Sequence, residues 1–332
     1  MRHRHPTAPP SPELTTVCLF GLLAEINGWL LTTAGVTVLC DPVLEGPLDF
    51  GIPDVYRASR RVLPSTGVLE TLPPLDALLI TQGLDDHAHD RTLRRLSQLD
   101  PHLPVIAPPS AARTLTHLFR NVTFLTSKSR RVALPYLGLD ALPTVRLPPS
   151  ESAVDLAVIT PRSRRGLPGL SVRATSGALV GPPWQSRENG YVLSATQPGG
   201  GPSIYIEPHV EFDRAELSRL APVDAVITPV NGQGLPGFEL VHGPDASLEL
   251  VKVLQPRWVV PMPNGDVEAS GLAAPFISSV GAPAEFERRL RGNGAGRTWR
   301  RAPPEVVGVR PGKPFTLDLQ QPRSPNRNSA VR

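Results

Sequence analysis

Four residues with acid–base and metal-ligating side chains lie close together in the stretch ITQGLDDHAHD. They are Asp85, Asp86, His87 and His89. The stretch follows the apolar run LDALL and precedes RTLRRLSQL, whose periodicity predicts a helix. Carboxylates and imidazoles at a strand-to-helix junction suit zinc, iron or manganese. A simpler alternative is that Asp85 or Asp86 caps the helix and that His89 faces solvent.

Two further loops with ligand chemistry follow apolar runs. Glu207 and His209 come directly after SIYI, and Asn264 and Asp266 come after RWVV. In layered α/β proteins, ligands bind at the carboxyl ends of the strands. We therefore expect these two loops to meet the Asp85–His89 stretch at one edge of the sheets.

A fourth loop, after the run SVRA, carries groups that suit a substrate. We predict that Arg187 and Glu188 bind substrate and that Trp184 forms an apolar wall beside them. For Trp184, simple packing at the rim of the fold is the alternative. The glycines of this loop are predicted to form turns, because they lack the spacing of a phosphate-binding loop.

The elements that must position these loops alternate along the chain. The runs TVCLFGLL, GWLLTT and VTVLCDP are typical of strands, and the Ala34-Gly35 pair predicts a hairpin turn between the last two. Strand-like and helix-like segments then alternate as far as PAEFERRL, with one helix predicted near AAPFISSV. This order predicts a layered α/β protein with a mixed sheet.

The ends of the chain differ in composition from its body. Residues 1–13 are rich in Pro and His and are predicted to be a disordered arm. From Arg288 onward, eleven Arg or Lys oppose two acidic residues, a net charge of +9 that leaves −5 on residues 1–287. We predict one domain over residues 14–300, followed by a basic Pro/Arg-rich extension over 301–332. Nucleic acid is not an expected partner, because Trp299 is the only aromatic residue near these arginines and base stacking needs several.

The composition indicates a globular protein without a membrane-spanning segment. In 332 residues, of which 40% are apolar, no run approaches the roughly 18 apolar residues of a membrane span. The two cysteines, Cys18 and Cys40, each lie in a strand-like run and are predicted to be buried, reduced thiols. These features predict a globular cytoplasmic protein whose partner is a small molecule.

The order of the loops resembles the metallo-β-lactamase fold, especially the branch near the ascorbate-phosphate lactonases with its cyanobacterial, plant and bacterial relatives. The resemblance covers residues 15–290 approximately. It rests on VTVLCDPVLEGPLDFGIP, LLITQGLDDHAHDRTLRRL, LVGPPWQSRENGYVL, SIYIEPHVEFD and the stretch from VITPVNGQG to PMPNGD. The resemblance implies an αββα sandwich of two mixed sheets flanked by helices.

The family's ligand motif, His-x-His-x-Asp-His, is incomplete in this chain. Gln82 and Leu84 stand at the two leading His positions, whereas Asp86 and His87 match. A third His of the family falls near Ser176 and is absent. The ligands that the resemblance assigns to a first metal are therefore missing, and a dinuclear site is not expected.

The ligands that the resemblance assigns to a second metal are better preserved. It implies that Glu207 or His209 replaces a bridging Asp and that Asn264 replaces the last His. We therefore expect one divalent metal, zinc before iron or manganese, held by Asp86, His87 and one or both of Glu207 and His209.

Such a site predicts a metal-dependent hydrolase that acts on an ester, a lactone or a phosphodiester. Asp86 would be a catalytic residue, and Asp85 or His89 would relay protons. Its substrate-binding residues would be Gln82, Trp184, Arg187 and Glu188. The alternative is a non-catalytic binding protein of the same fold that holds no metal, which Leu84 and the missing third His favour.

Overall fold

The structure, a computed structural model, describes residues 18–23, 25–127, 155–162, 169–179, 187–197, 200–262, 266–292, 299 and 302–319, the first of these ranges by its backbone only. Trp184 and Asn264, two of the predicted site residues, lie outside the described residues. In chain order the strands are β1 (Cys18–Leu23), β2 (Trp29–Thr33), β3 (Val36–Cys40), β4 (Arg57–Ser59), β5 (Ala77–Leu79), β6 (Val105–Ala107), β7 (Val122–Phe124), β8 (Leu156–Ile159), β9 (Leu170–Ser176), β10 (Asn189–Ala195), β11 (Ser203–Ile206), β12 (Ala225–Pro229), β13 (Gly232–Leu235), β14 (Phe238–Val241), β15 (Trp258–Met262), β16 (Glu268–Ser270), β17 (Ser278–Val280), β18 (Glu305–Val306) and β19 (Pro314–Asp318). The α-helices are α1 (Asp90–Leu99), α2 (Ala112–Leu115), α3 (Arg214–Leu220), α4 (Asp245–Leu254) and α5 (Pro283–Gly292).

Two seven-stranded mixed sheets form the centre of the fold. The first has the order β19-β1-β2-β3-β5-β6-β7, and the second has the order β18-β15-β12-β11-β10-β9-β8. The pairs from β3 to β7 and from β11 through β12 and β15 to β18 are parallel, and the other pairs are antiparallel. The parallel strands end at one edge, where the predicted ligand loops follow β5 and β11.

Three hydrophobic clusters define the layers. The inner faces of the two sheets pack on each other through side chains such as Val38, Leu79, Tyr191 and Val260. The outer face of the first sheet packs on α1 and α2, and the outer face of the second packs on α3 and α4. Burial of one apolar face by each helix stabilises the arrangement. The predicted αββα sandwich is thus observed.

Two small sheets lie beside the main ones. The first pairs β4 with β16, and the second has the order β14-β13-β17. The segment around Phe276 joins them, and there the predicted helix near AAPFISSV is wrong. A single 3-10 turn at Ala274–Phe276 is followed by strand β17, which pairs with β13. The β-branched residues after the turn favour the strand once a partner strand is present.

The fold continues past residue 300, where we had predicted the start of an extension. Strand β18 pairs with β15 in the second sheet, and β19 pairs with β1 in the first. Phe315 and Leu317 of β19 are buried in the core between the sheets. Residues 302–319 therefore complete the domain, because each sheet gains a strand from them. Among the described residues, no helix is long and apolar enough to span a bilayer.

The structure contains the predicted hairpin turn at Ala34-Gly35 and the predicted buried thiol of Cys40. Strands β2 and β3 form an antiparallel hairpin, and both turn residues, Ala34 and Gly35, have positive φ angles of 50° and 76°. This backbone matches the right-handed twist of the two strands. Cys40 is a free, fully buried thiol, and burial raises its pKa well above the ordinary value.

A buried carboxylate holds the loop after β4 in place. Glu25, 4% exposed, accepts hydrogen bonds from the backbone N–H groups of Arg61, Val62 and Leu63 at 2.7–3.2 Å. We predict that Glu25→Ala lowers the free energy of unfolding by about 1–3 kcal/mol, because these donors lose their acceptor. Urea unfolding measures the change.

Glu70→Ala is the matched control, since Glu70 pairs with Arg95 on the exposed surface. It should lower the free energy of unfolding much less than Glu25→Ala, because exposed ion pairs contribute little to stability. Equal effects of the two substitutions would show that Glu25 contributes no more to the free energy of unfolding than a surface ion pair does.

Candidate metal centre

The loop after β5 is hydrogen-bonded to the loop after β3 and to strand β10. Asp41 follows β3 with a positive φ angle of 41° and is 2% exposed. Its carboxylate accepts from the N–H of Thr81 at 2.8 Å and from the Thr81 hydroxyl at 2.5 Å. In β10, the Asn189 N–H donates to the Thr81 carbonyl at 3.0 Å, and the Tyr191 hydroxyl donates to the Ile80 carbonyl at 2.9 Å. These bonds fix the backbone from which His87 projects.

His87 is fully buried and lies between two carboxylates. Its Nδ1 is 2.9 Å from Asp41 Oδ2, and its Nε2 is 3.1 Å from Asp86 Oδ2. Burial opposes the charged imidazole, but the carboxylates of Asp86 and Asp41 outweigh it and raise the pKa of His87 well above its ordinary value. Because Asp41 occupies Nδ1, the free ring position for a metal is Nε2.

His209, after β11, is oriented in the same way from the second sheet. Its Nδ1 is 2.6 Å from Glu188 Oε2, and the two side chains are 5% and 0% exposed. The ring centroids of His209 and His87 are 4.9 Å apart. Although burial opposes its charged form, Glu188 raises the pKa of His209. The two imidazole rings are therefore close together and tilted by 51°, and each has a carboxylate at its Nδ1.

Two groups of side chains converge tightly enough to hold a metal ion. Asp86, His87 and His209 form the first group, and Glu188, Glu207 and His209 form the second; within each group, one ligand atom from every residue lies within 4.8 Å of the others. His209 belongs to both. The five residues, from loops after β5 and β11 and from the start of β10, therefore form one continuous cluster, which we call the ligand cluster.

The chemistry of the ligand cluster fits a divalent cation. Among the described residues, the buried Asp86 Oδ1 and Glu188 Oε1 have no hydrogen-bond partner. Leaving a carboxylate oxygen unpaired in a buried site is costly unless a cation compensates it. Burial raises the pKa of Glu207 to about 8, while His209 lowers it and the neighbouring Glu188 raises it. Imidazole and carboxylate donors together suit zinc, iron or manganese.

Glu188 lies in a different place from the one we predicted. We had predicted that it binds substrate in a loop, but it is 1% exposed and bonded to His209. Burial raises its pKa. Its position at the entry of β10, next to Asn189, turns its carboxylate inward. It is therefore a candidate ligand, which the sequence motif alone did not indicate.

The two predicted proton-relay residues are engaged in local structure. Asp85 Oδ1 accepts from the Asp90 N–H at 2.9 Å and so caps the start of α1, the simpler of the two interpretations. His89 is buried, with Nδ1 2.8 Å from Thr92 Oγ1 and Nε2 3.3 Å from the Pro47 carbonyl. The alternative in which His89 faces solvent is wrong, and both of its ring nitrogens have local partners.

Two of the predicted substrate-binding residues, Arg187 and Gln82, do not belong to the ligand cluster. Arg187 pairs with Glu211 at 2.5 Å and donates to the Gly177 carbonyl at 3.1 Å, so its guanidinium does not occupy the space between the ligands. Gln82 is 2% exposed, and neither of its amide atoms has a hydrogen-bond partner among the described residues. Gln82 therefore remains a predicted polar contact for a substrate.

Asn27, in the turn after β1, reaches the ligand cluster although the motif gave no indication of it. Its amide nitrogen donates to the Asp86 carbonyl at 3.1 Å and lies 3.2 Å from His87 Nε2. The Asn27-Gly28 pair indicates a turn in the sequence. Only the pairing of β1 with β2, which brings this turn beside the loop after β5, gives it contact with the site.

Comparison with known proteins agrees with this fold. The family model described as the beta-lactamase superfamily domain matches residues 23–263. No curated protein sequence matches significantly. Igni18, a metallo hydrolase from the archaeon Ignicoccus hospitalis, has a similar structure with a TM-score of 0.55, 14% identity, and coverage of 90% of this chain and 98% of that one.

Two further solved structures show the same fold. An isothiocyanate hydrolase from Delia radicum gut bacteria has a TM-score of 0.53 and 15% identity, with coverage of 91% of this chain and 99% of that one. CmlA, a diiron beta-hydroxylase from Streptomyces venezuelae, has a TM-score of 0.51 and 17% identity, with coverage of 93% of this chain and 55% of that one. Likeness at these levels of identity concerns the fold, which these different activities share.

Proposed function

The chain belongs to the beta-lactamase superfamily, and we propose on that basis that it is a metal-dependent hydrolase whose ligand cluster holds at least one divalent metal. The observation that carries the proposal is the convergence of Asp86, His87 and His209 within 4.8 Å, with carboxylate oxygens left unpartnered beside them. The metallo hydrolase and the isothiocyanate hydrolase of the same fold are consistent with it.

In this proposal, Asp86, His87 and His209 hold the metal, with Glu188 or Glu207 adding a further oxygen donor. Such a metal would polarise a carbonyl or phosphoryl oxygen and lower the pKa of a bound water to about 7. Asp41 and Glu188 contact the Nδ1 atoms of the two imidazoles at 2.9 and 2.6 Å, so each Nε2 would be the nitrogen that binds the metal.

The same residues also provide for proton transfer. Glu188 Oε1, buried and without a partner among the described residues, is placed to accept a proton from an attacking water. Burial of the ligand cluster excludes bulk water and strengthens these electrostatic contacts. We propose an ester, a lactone or a phosphodiester as the substrate, because hydrolysis of each requires an activated water and a polarised oxygen.

Hydrolysis of these three classes tests the proposal. Protein reconstituted separately with zinc, manganese and iron is assayed on a p-nitrophenyl ester, an aliphatic lactone and bis-p-nitrophenyl phosphate. We expect Asp86→Asn to lower kcat/KM by at least about 100-fold, because loss of a ligand exceeds the 10–100-fold effect of an outer-shell partner. Asp90→Asn is the control, because Asp90 lies at the start of α1 and pairs with Arg94 on the surface.

Activity of the wild type that Asp86→Asn removes and Asp90→Asn keeps supports the proposal. Equal activity in both variants would place the reaction elsewhere. Absence of hydrolysis with every metal and substrate class would instead favour the non-catalytic binding protein, for which Leu84 at a family His position is the motivating feature.

A further inference from the structure

The exposed apolar side chains of this protein are concentrated in one region. Nine of the twelve large hydrophobic residues that are exposed in the described chain belong to the two small sheets or to the loops beside them. They include Phe50, Ile52, Val55, Leu272 and Phe276, which are 44%, 57%, 42%, 76% and 60% exposed. Large exposed apolar patches on a soluble protein mark sites where something binds. We call this region the apolar rim.

The pieces of the apolar rim are joined to one another. The backbone N–H groups of Leu272 and Ala273 donate to the carbonyls of Asp54 and Val55 at 3.0 and 2.8 Å. Gly271 approaches the Val55 backbone so closely that a Cβ at this glycine would lie 2.7 Å from the Val55 carbonyl oxygen. From there the chain continues through Phe276 into β17, which connects the first small sheet to the second. The rim is thus one surface built on two sheets.

Each small sheet reaches the ligand cluster. In the second, the His242 N–H just after β14 donates to the carbonyl of His209 at 2.9 Å. In the first, the ring of Tyr56, next to β4, lies 6.1 Å from the ring of Phe50. Tyr56 and Ile26 pack against the same small group of buried side chains, and Asn27, next to Ile26, contacts Asp86 and His87. Both small sheets are therefore linked by contacts to the ligand cluster.

Two ion pairs lie at the border of the rim. Arg61 pairs with Asp266 at 2.7 Å, and Arg91 pairs with Asp49 at 2.6 Å. The exposed residues Asp54, Arg57 and Glu268 add one basic and two acidic groups, so the rim has no excess positive charge to attract an acidic lipid or a nucleic acid. The occupant that fits it is uncharged and apolar.

We propose that the apolar rim binds the hydrophobic part of the substrate, an uncharged alkyl or aryl chain whose polar, cleavable group reaches the ligand cluster. This inference deepens the proposed function, on which it rests for the identity of the site that the rim serves. It predicts that the protein prefers long-chain over short-chain substrates of any one class.

A series of amides that differ only in chain length tests the rim without requiring catalysis. Binding of butanamide, hexanamide and octanamide is measured by isothermal titration calorimetry on the full-length protein. We expect octanamide to bind at least about tenfold more tightly than butanamide, since each methylene contributes up to about fourfold when it is fully buried. The variant L272S/F276S should lose this gain.

The double variant L156S/V158S is the matched control. Leu156 and Val158 are 39% and 58% exposed on β8, the edge strand of the second sheet, and belong to no rim element. It should keep the full dependence on chain length. Both variants should fold, because substitutions of exposed side chains change stability little.

Two results would overturn the proposal. One is an affinity in the wild type that does not depend on chain length, or that L272S/F276S leaves unchanged. The other is a wild-type dimer in sedimentation that L272S/F276S converts to a monomer, because the rim would then join two copies of the chain. Metal content is measured on the same samples. If the wild type holds no metal but still binds the longer amides more tightly, the proposed hydrolase function is overturned and the rim remains a ligand-binding site.

Discussion

Replacement of His209 by alanine is expected to abolish stoichiometric metal binding, with a loss of affinity of more than about 100-fold. His209 is the residue that both groups of the ligand cluster share, so its removal leaves neither of them with three ligands. Loss of a residue that only hydrogen-bonds to a metal ligand costs about 10–100-fold in affinity, and His209 is itself a candidate ligand. Competition with a fluorescent zinc chelator measures the change.

His242→Ala is the control for His209→Ala. His242 is a neighbouring imidazole whose side chain contacts Glu239 at 2.8 Å and is 32% exposed. Its backbone bond to His209 remains in the alanine variant. We expect its metal affinity to stay within about twofold of the wild type, because the effect of a surface ion pair is small. Equal metal affinity in the two variants would show that His209 is not a ligand.

The second large effect is expected at Asp41, on stability. Asp41→Ala removes the acceptor of the Thr81 N–H and hydroxyl groups and of His87 Nδ1, all of them buried. Breaking a buried charged pair on one side costs about 3–5 kcal/mol, because the remaining partner stays buried without compensation. We expect a loss of that size in the free energy of unfolding, measured by urea denaturation followed by circular dichroism. Asp100→Ala, which breaks a half-exposed pair with Arg162, should cost about 1 kcal/mol or less.

A conservative substitution separates the fold from the site. Asp41→Asn keeps the shape of the side chain and an oxygen for the Thr81 N–H. Its amide nitrogen, however, would face His87 Nδ1 and favour the tautomer that carries the proton on Nε2, the atom that must bind metal. We expect this variant to retain more stability than Asp41→Ala and yet to lose about 10–100-fold in metal affinity. A metal affinity equal to that of the wild type would show that Asp41 acts on stability alone.

Much of the fold could be predicted because its local signals agree with its tertiary contacts. Helix α4 coincides with the run DASLELVKVL, whose apolar residues recur at helical spacing, and Asp213 caps α3 at the start of the run DRAELSRL. Elements that depend on a distant partner were missed. Strands β17 and β19 are short and weakly patterned, and each is stabilised by pairing with a strand more than 40 residues away in the chain.

The residues of the ligand cluster also fall into those that the sequence could predict and those that depend on distant contacts. Asp86, His87 and His209 were predictable because they directly follow apolar runs, and parallel strands bring such positions to one edge. Glu188 and Asn27 enter from the start of a strand and from a hairpin turn, where the sequence has no comparable signal. Each contact arises within one sheet: Glu188 meets His209 because β10 pairs with β11, and Asn27 meets His87 because β1 and β2 belong to the same sheet as β5. The burial of His89 was not predictable, because burial of an imidazole cannot be inferred from its position beside a helix start.

The central claim is that the ligand cluster holds a metal, and elemental mass spectrometry of the purified protein tests it most directly. The account predicts at least one zinc, iron or manganese ion per chain, either as purified or after reconstitution, and its loss in the double variant Asp86→Ala, His87→Ala. No stoichiometric metal in the wild type under either condition, or the same metal content in the double variant, would contradict it.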